Sequence, residues 1–385
     1  MSLIKDYKKI GFSKGLISLY SGKLVLEFGI NIFALFLPIF LYQQLHNINY
    51  VILYYIIGSL GYFLLLPITA KIIGNIGIKS SLLFSIVIRA VFFYSFYKFT
   101  EDPFFYFILS AAAMILVRSF FWLPFHTESA KLSDKKTRGK QLSLIFSIAS
   151  FLGVIAPVIG GFILEKSSFA VLAVIGFAFS LLSIIPFSKL PPVKEEYSWS
   201  YIETFKYFFH SFNRRMVIAY MSDGAIGVIQ GLFWPLFIFT ILDEKYSAVG
   251  LITGAVLLVG VILRLFIGQL LDKFHKTKMV KIGIALNSTA WILKAAVVSA
   301  FHVFLASTYH ILALIVLRTS LDTLVYEKAA DKGHYVDEYT VIKEMSINIG
   351  RVISLLIVAG LLFYLPMQIS FILAATVVFF ISWLK

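Results

Sequence analysis

Residues 114–161 read M-I-L-V-R-S-F-F-W-L-P-F-H-T-E-S-A-K-L-S-D-K-K-T-R-G-K-Q-L-S-L-I-F-S-I-A-S-F-L-G-V-I-A-P-V-I-G-G. Two apolar runs flank a short basic hinge, Lys131 to Lys140. The first run carries Arg118. The second carries Gly153, Pro157, Gly160 and Gly161. A bilayer crossing needs roughly 20 mostly apolar residues, and both runs meet that length. A weaker echo runs from Arg318 to Gly360, with Arg118 and Arg318 at an offset of 200. One membrane unit therefore occurs twice.

The rest of the chain has the same character. Apolar residues make up 59% of it, well above the share usual in soluble domains. The 385 residues leave room for about twelve spans, the first near residues 18–43 and the last, wholly apolar and expected to be peripheral, near 367–384. The 39 Phe and 20 Tyr suit lipid-facing surfaces and interfacial belts. The net charge of +14 would suggest nucleic acid if it lay on one soluble face. Instead, nearly all loop Lys and Arg fall on one side of the spans, with Lys98, Lys166 and Lys245 alone on the other. That asymmetry predicts both termini in the cytoplasm. No signal-peptide pattern is expected at the start, since the first apolar run is too long for one. The absence of Cys excludes disulfides and thiolate metal sites.

Charges inside apolar runs are costly and mark candidate sites. Span 1 places Tyr20, Lys23, Glu27 and Asn31 on one helix face. Lys23 and Glu27 read either as a local pair or as part of a cavity wall with Glu27 protonatable. Arg118 either snorkels to the span end or faces the interior. Span 3 carries Arg89. Asp223, Gly227, Gln230 and Trp234 share a face of span 7, where Asp223 needs a partner from another helix. Asn287, Trp291 and Lys294 share one in span 9. Arg318 and Asp322 are four apart and can neutralise each other. Glu344, Asn348 and Arg351 form a stripe on span 11, with Glu344 expected to be shallow. Gly153, Gly160 and Gly161 suit close helix packing, and Pro157 suits a bend.

Residues 189–214 divide two six-span units, 1–188 and 215–385. Pro191 and Pro192 stop span 6. Tyr201, Ile202, Phe205, Phe208, Phe209 and Phe212 then recur at helical spacing, which predicts an amphipathic helix on the membrane surface. Span 7 repeats span 1, with Leu35-Phe36-Leu37-Pro38 matching Leu232-Phe233-Trp234-Pro235 at an offset of 197.

Gly268, Asp272, Lys273, Lys276 and Lys278 resemble the G-x-x-x-D-[RK]-x-G-[RK]-x-[RK] loop of the major facilitator superfamily, with His275 in place of the second glycine. The matching loop after span 2 is degraded. Ala70, Gly74 and Asn75 replace the first glycine, the aspartate and the arginine, while Gly77 and Lys79 persist. Arg118 is similar to that family's span-4 arginine. Lys135, Arg138 and Gly139 resemble its basic span 4–5 hinge. Gly153-x-x-x-Pro157-x-x-Gly160-Gly161 resembles the span-5 pattern of its antiporters, with Ala156 replacing the inner glycine.

The resemblance implies an all-α membrane protein of twelve transmembrane helices in two pseudo-symmetric six-helix bundles. These would rock about a site near the membrane midplane. It implies a gating loop of Gly268, Asp272, Lys273 and Lys276, with Asp272 latching against the start of span 5 near Lys140 and Gln141. The function implied is secondary active transport of a small solute across the cytoplasmic membrane, with proton-coupled antiport or efflux as the leading form. Glu27, Asp223 and Asp322 are the proton candidates, and Lys23, Arg118, Lys294, Arg318 and Arg351 are their possible cationic partners. The alternative is nutrient uptake, for example of a sugar held by Asn31, Gln230 and Asn287. A scaffold and a membrane-embedded enzyme are the remaining classes. No Walker motif points to ATP, and no His cluster points to a metal. The expected partners are the solute, the bilayer and protons. The expected state is a monomer without cofactor or nucleic acid.

Overall fold

The structure is a computed structural model that describes residues 12–132, 138–271, 275–330 and 336–384. Within them, the side chains at 138–140, 142, 143, 146, 265, 268–271, 276, 320, 322–330, 336, 337 and 384 lie outside the description. Regular structure among the described residues is entirely helical.

Ser13 starts the first helix, α1 (Lys14–Ala34), by accepting the Leu16 N–H on its side-chain oxygen. The chain turns at Leu35 and Phe36 and resumes as α2 (Leu37–Leu45), with Pro38 in the first turn, where a missing N–H costs nothing. Asn47 caps α3 (Ile48–Ile76), and α4 (Ile78–Tyr97) follows after Gly77 alone. Gly77 takes φ +86°, a conformation that favours glycine. Next come α5 (Pro103–Leu132), α6 (Arg138–Lys166) and α7 (Phe169–Ser188). The short α8 (Tyr201–Phe209) opens with a capping box between Ser200 and Glu203. Beyond it, α9 (Arg214–Val228) runs through a π turn at Ile229–Phe233 into α10 (Trp234–Ile241). The last helices are α11 (Tyr246–Leu271), α12 (Lys276–Ala295), α13 (Ala300–Ala330), α14 (Val336–Leu361) and α15 (Ile369–Val377), which tightens to a 3-10 turn at Val378–Leu384.

Ten helical stretches among the described residues are long and apolar enough to cross a membrane, counting α1–α2 as one and α9–α10 as one. The outer faces carry residues such as Phe104, 77% exposed, and Phe266, 74% exposed. An apolar surface of that kind suits hydrocarbon rather than water.

Helix pairing repeats along the chain. Before the linker, α1 packs on α6 and α7, α4 on α5 and α7, and α3 on α5. After it, α9 packs on α14 and the Val378–Leu384 turn, α12 on α13 and α15, and α11 on α13. Two seams join the sets, α6 on α11 and α3 on α14. The first seam is made by small residues. A methyl at Gly161 would strike the Tyr246 carbonyl, and one at Gly250 would strike that of Pro157. Gly160 likewise abuts Ile32 of α1, whereas Gly153 faces open space and takes no part in the close packing expected of it. Beside this seam the Tyr246 hydroxyl donates to Gln43 Oε1, and the Ser247 N–H donates to Glu165 Oε2 at 3.2 Å.

The apolar residues of the linker divide between two environments. Phe205 and Phe208 pack edge-on against Phe63 of α3, while Ile202, Phe209 and Phe212 stay exposed. The preceding strap, residues 189–200, crosses the ends of α3, α4 and α5. Ile78 N–H donates to the Val193 carbonyl at 2.9 Å, and Lys131 pairs with Glu195. A methyl at Gly74 would lie 2.9 Å from the Glu195 carbonyl oxygen, so the strap fills the space beside the position where the loop motif has aspartate. The Ser198 hydroxyl then donates to Glu338 Oε1 of α14 at 2.6 Å. The last span buries one face, where Phe371 of α15 packs against Trp234, Phe237 and Trp291, and leaves Phe379, Phe380 and Trp383 exposed on the other.

Candidate functional site

A cavity of about 570 Å³ lies between helices from both sides of the linker. Before the linker, α1 supplies Glu27 and Asn31, α3 supplies Tyr55 and Tyr62, α4 supplies Arg89 and α5 supplies Arg118. After it, the π turn supplies Gly231, and α14 supplies Glu344 and Arg351. Phe92, Phe93, Phe121, Trp122 and His126 complete the polar and aromatic part of the wall. Four of the residues singled out from the sequence, Glu27, Asn31, Arg118 and Arg351, are therefore brought together. Arg118 faces the cavity, which decides between the two readings of that residue.

The cavity is apolar for most of its surface, with a few converging charges, as ligand sites tend to be. The family model described as Major Facilitator Superfamily matches residues 19–337. The chain belongs to this superfamily. It is a multi-pass membrane transporter. A similar protein occurs in Bacillus subtilis (strain 168), the uncharacterized protein YqgE. It is 21% identical over 363 residues, which cover 90% of this chain and 82% of that one.

Besides Arg89, Arg118, Glu344 and Arg351 on the cavity wall, three arrangements of intramembrane charge stand out among the described residues. On α1, Lys23 Nζ lies 3.0 Å from Glu27 Oε1, so the local pair and the cavity wall are the same structure. On α9, Asp223 meets Arg318 of α13, and Arg318 Nη1 donates to Asp223 Oδ2 at 3.2 Å. The partner expected from another helix is thus Arg318, and this pair lies off the cavity lining. The third arrangement surrounds Lys294 of α12, which is fully buried. Its Nζ donates to Gln230 Oε1 at 2.6 Å and stands 4.3 Å from the Trp234 ring and 4.4 Å from that of Trp291. Trp291 Nε1 donates to Asn287 Oδ1 at 3.1 Å, and His310 meets Trp291 edge-on. Gln230 and Lys294 therefore form a second polar centre, also off the cavity lining.

Asp272 and Lys273, together with the side-chain environments of Gly268, Lys276 and Asp322, lie outside the described residues. So do most of the basic hinge and the Lys140 side chain expected near Asp272. Three cavity residues were underweighted by sequence reasoning. Glu344, expected to be shallow, lines the cavity. Arg89 does as well, and its position in the middle of an apolar run was the signal for it. Tyr62, fully buried, carries no mark that separates it in sequence from lipid-facing tyrosines.

Proposed function

We propose that the chain is a secondary active transporter that moves a small solute across the cytoplasmic membrane by alternating access. In this reading twelve spans form two six-span halves, residues 1–188 and 215–385, joined by residues 189–214, with both termini cytoplasmic. The observation that carries it is the cavity itself, walled by α1, α3, α4 and α5 on one side and by the π turn and α14 on the other. Rocking one half against the other about the α6–α11 and α3–α14 seams would expose such a site to alternate sides. The recurrence of helix pairings after the linker supports two halves of like build.

Proton-coupled antiport is the favoured form. Glu27 borders the cavity while paired with Lys23, which puts a carboxylate within reach of both solute and proton. The sugar-uptake alternative loses support, because Gln230 and Asn287 are engaged around Lys294 and Trp291 and only Asn31 of its three residues lines the cavity.

The test is purified protein in liposomes, with solute counterflow measured with and without an imposed pH gradient. Counterflow that the gradient accelerates is expected, and Glu27→Gln should remove the gradient dependence while leaving folded yield intact. A gradient response that survives Glu27→Gln removes Glu27 from the coupling role. No flux of any solute removes the transporter mechanism.

A further inference from the structure

We infer that the substrate is an organic anion: a carboxylate or phosphate carried on an apolar, ring-sized body. This rests on the transporter reading and names the substrate class of the same cavity.

The inference comes from the charges on the wall. Three guanidinium groups line the cavity, Arg89 from α4, Arg118 from α5 and Arg351 from α14. Arg89 is 8% exposed, its Nε has no hydrogen-bond partner, and its guanidinium stands 5.5 Å from the Phe121 ring centre. Arg351 donates to a neutral group, Asn348 Oδ1, at 3.1 Å. Among the described residues, none of the three makes an ion pair. Two carboxylates face them. Glu27 is already balanced by Lys23, which is not a lining residue. That leaves Glu344 alone against three cations.

Guanidinium groups withdrawn from water are costly unless an anion meets them. A planar fork of donors matches the oxygens of a carboxylate or phosphate two at a time. The remaining wall fits the body of such a molecule, with Tyr55, Phe92 and Trp122 offering faces for an apolar ring. A cationic amphiphile would face the wrong sign of charge. A neutral sugar would leave the arginines unmatched.

The placement of the arginines also links binding to movement. Arg89 and Arg118 lie before the linker and Arg351 after it. With the cavity empty, like charges oppose each other across the two proposed halves. An anion between them replaces repulsion with attraction on both sides, so the loaded protein closes more readily than the empty one.

The probes are matched sets on one skeleton: benzoate, benzamide and benzylamine; phenyl phosphate and phenol; indole-3-acetate and its amide. Thermal stabilisation of the purified full-length chain and counterflow in liposomes are read for each. The anionic members should raise the melting temperature by several degrees and the neutral and cationic members should not. The carboxylate and phosphate arms separate the two head groups. Arg118→Gln and Arg351→Gln should each weaken the effect at least tenfold, Arg118→Lys less so, and Gly153→Ala not at all. Stabilisation by the amine or amide equal to that by the anion overturns the inference, as does the absence of any anion effect on the unmodified chain. Anion binding without counterflow upholds the anion site and overturns the transporter reading. Counterflow of a neutral solute with no anion effect does the reverse.

Discussion

Asp223 and Arg318 lie 95 residues apart and meet through two contacts between the carboxylate and the guanidinium. A pair of this kind is read by what is lost when either member goes alone. Asp223→Asn and Arg318→Gln should each lower the melting temperature, while the double variant should recover part of the loss, giving a coupling energy of about 0.5–3 kcal/mol in a double-mutant cycle. Additive losses would remove the pair from the list of structural contacts. The residue scale is also where the sequence was hardest to read. Spacing on one helix offers Asp322 to Arg318, but only the packing of α9 against its neighbours brings Asp223 to it. Arg118 and Glu27 were legible because an isolated charge in an apolar run stands out. Lys294 was legible as a charge but not as a caged one, since Trp234 and Gln230 come from a different helix.

At the scale of the element, the repeated Leu-Phe-x-Pro motif finds a structural counterpart. In the first copy α1 stops at Ala34 and restarts before Pro38. In the second, α9 passes through a π turn and restarts before Pro235. Each proline removes a backbone donor, and each helix accommodates the loss by an irregular turn just ahead of it. The break in the second copy puts Gly231 on the cavity wall. The glycines of α6 divide by environment. Gly161→Val should disrupt the α6–α11 seam and reduce folded yield or transport severalfold, whereas Gly153→Ala should be neutral or raise stability by up to about 1 kcal/mol through helix propensity. Thermal denaturation of the two variants side by side checks this. The sequence marked all three glycines alike because a glycine signals closeness without saying to what.

The short helix α8 adds a pH effect. The Ser200 backbone N–H donates to Glu203 Oε2 at 2.7 Å, and this bond, with that to the Ser200 side chain, holds the Glu203 carboxyl below its ordinary value of 4.5. A group with a lowered folded value stabilises the helix above pH 4.5 and ceases to do so as the pH falls through that lowered value. Amide exchange in α8 should therefore lose protection on acidification below 4.5, and Glu203→Gln should abolish that pH step.

For the whole molecule, one apolar cluster joins Tyr62, Phe63 and Val117 to Val217, Ile342 and Met345, so the two sides of the linker share a core near α8 as well as the two seams. In the proposed alternating-access cycle, one end of this arrangement would loosen at a time. The Ser198–Glu338 bond ties the strap to α14 and should move with that exchange. Ser198→Ala should raise amide exchange through residues 198–209 and change the transport rate by more than twofold, with little change in the melting temperature. An unchanged rate would make the bond a passive contact. The all-helical, membrane-spanning character was readable from composition and the length of the apolar runs, because these are properties of many residues at once. The strap was not readable, since it rests partly on backbone atoms, which leave no trace in residue type except for the glycine at position 74, and partly on the pairs Lys131–Glu195 and Ser198–Glu338, whose members lie far apart in sequence.

The strap's contacts also differ in how soon each partner is synthesised. Its contacts with α3, α4 and α5 join segments that have all left the ribosome once residue 197 has emerged, so these contacts need nothing from the later part of the chain. Ser198 then waits for Glu338, which is 140 residues further on. At about 5–20 residues per second of synthesis, that wait is on the order of ten seconds. During it the partners of the strap on α3, α4 and α5 exist, while Ser198 still lacks its acceptor. Pausing synthesis in this interval should therefore leave the Lys131–Glu195 pair able to form and the Ser198–Glu338 bond not, which a site-directed crosslink at each pair would read.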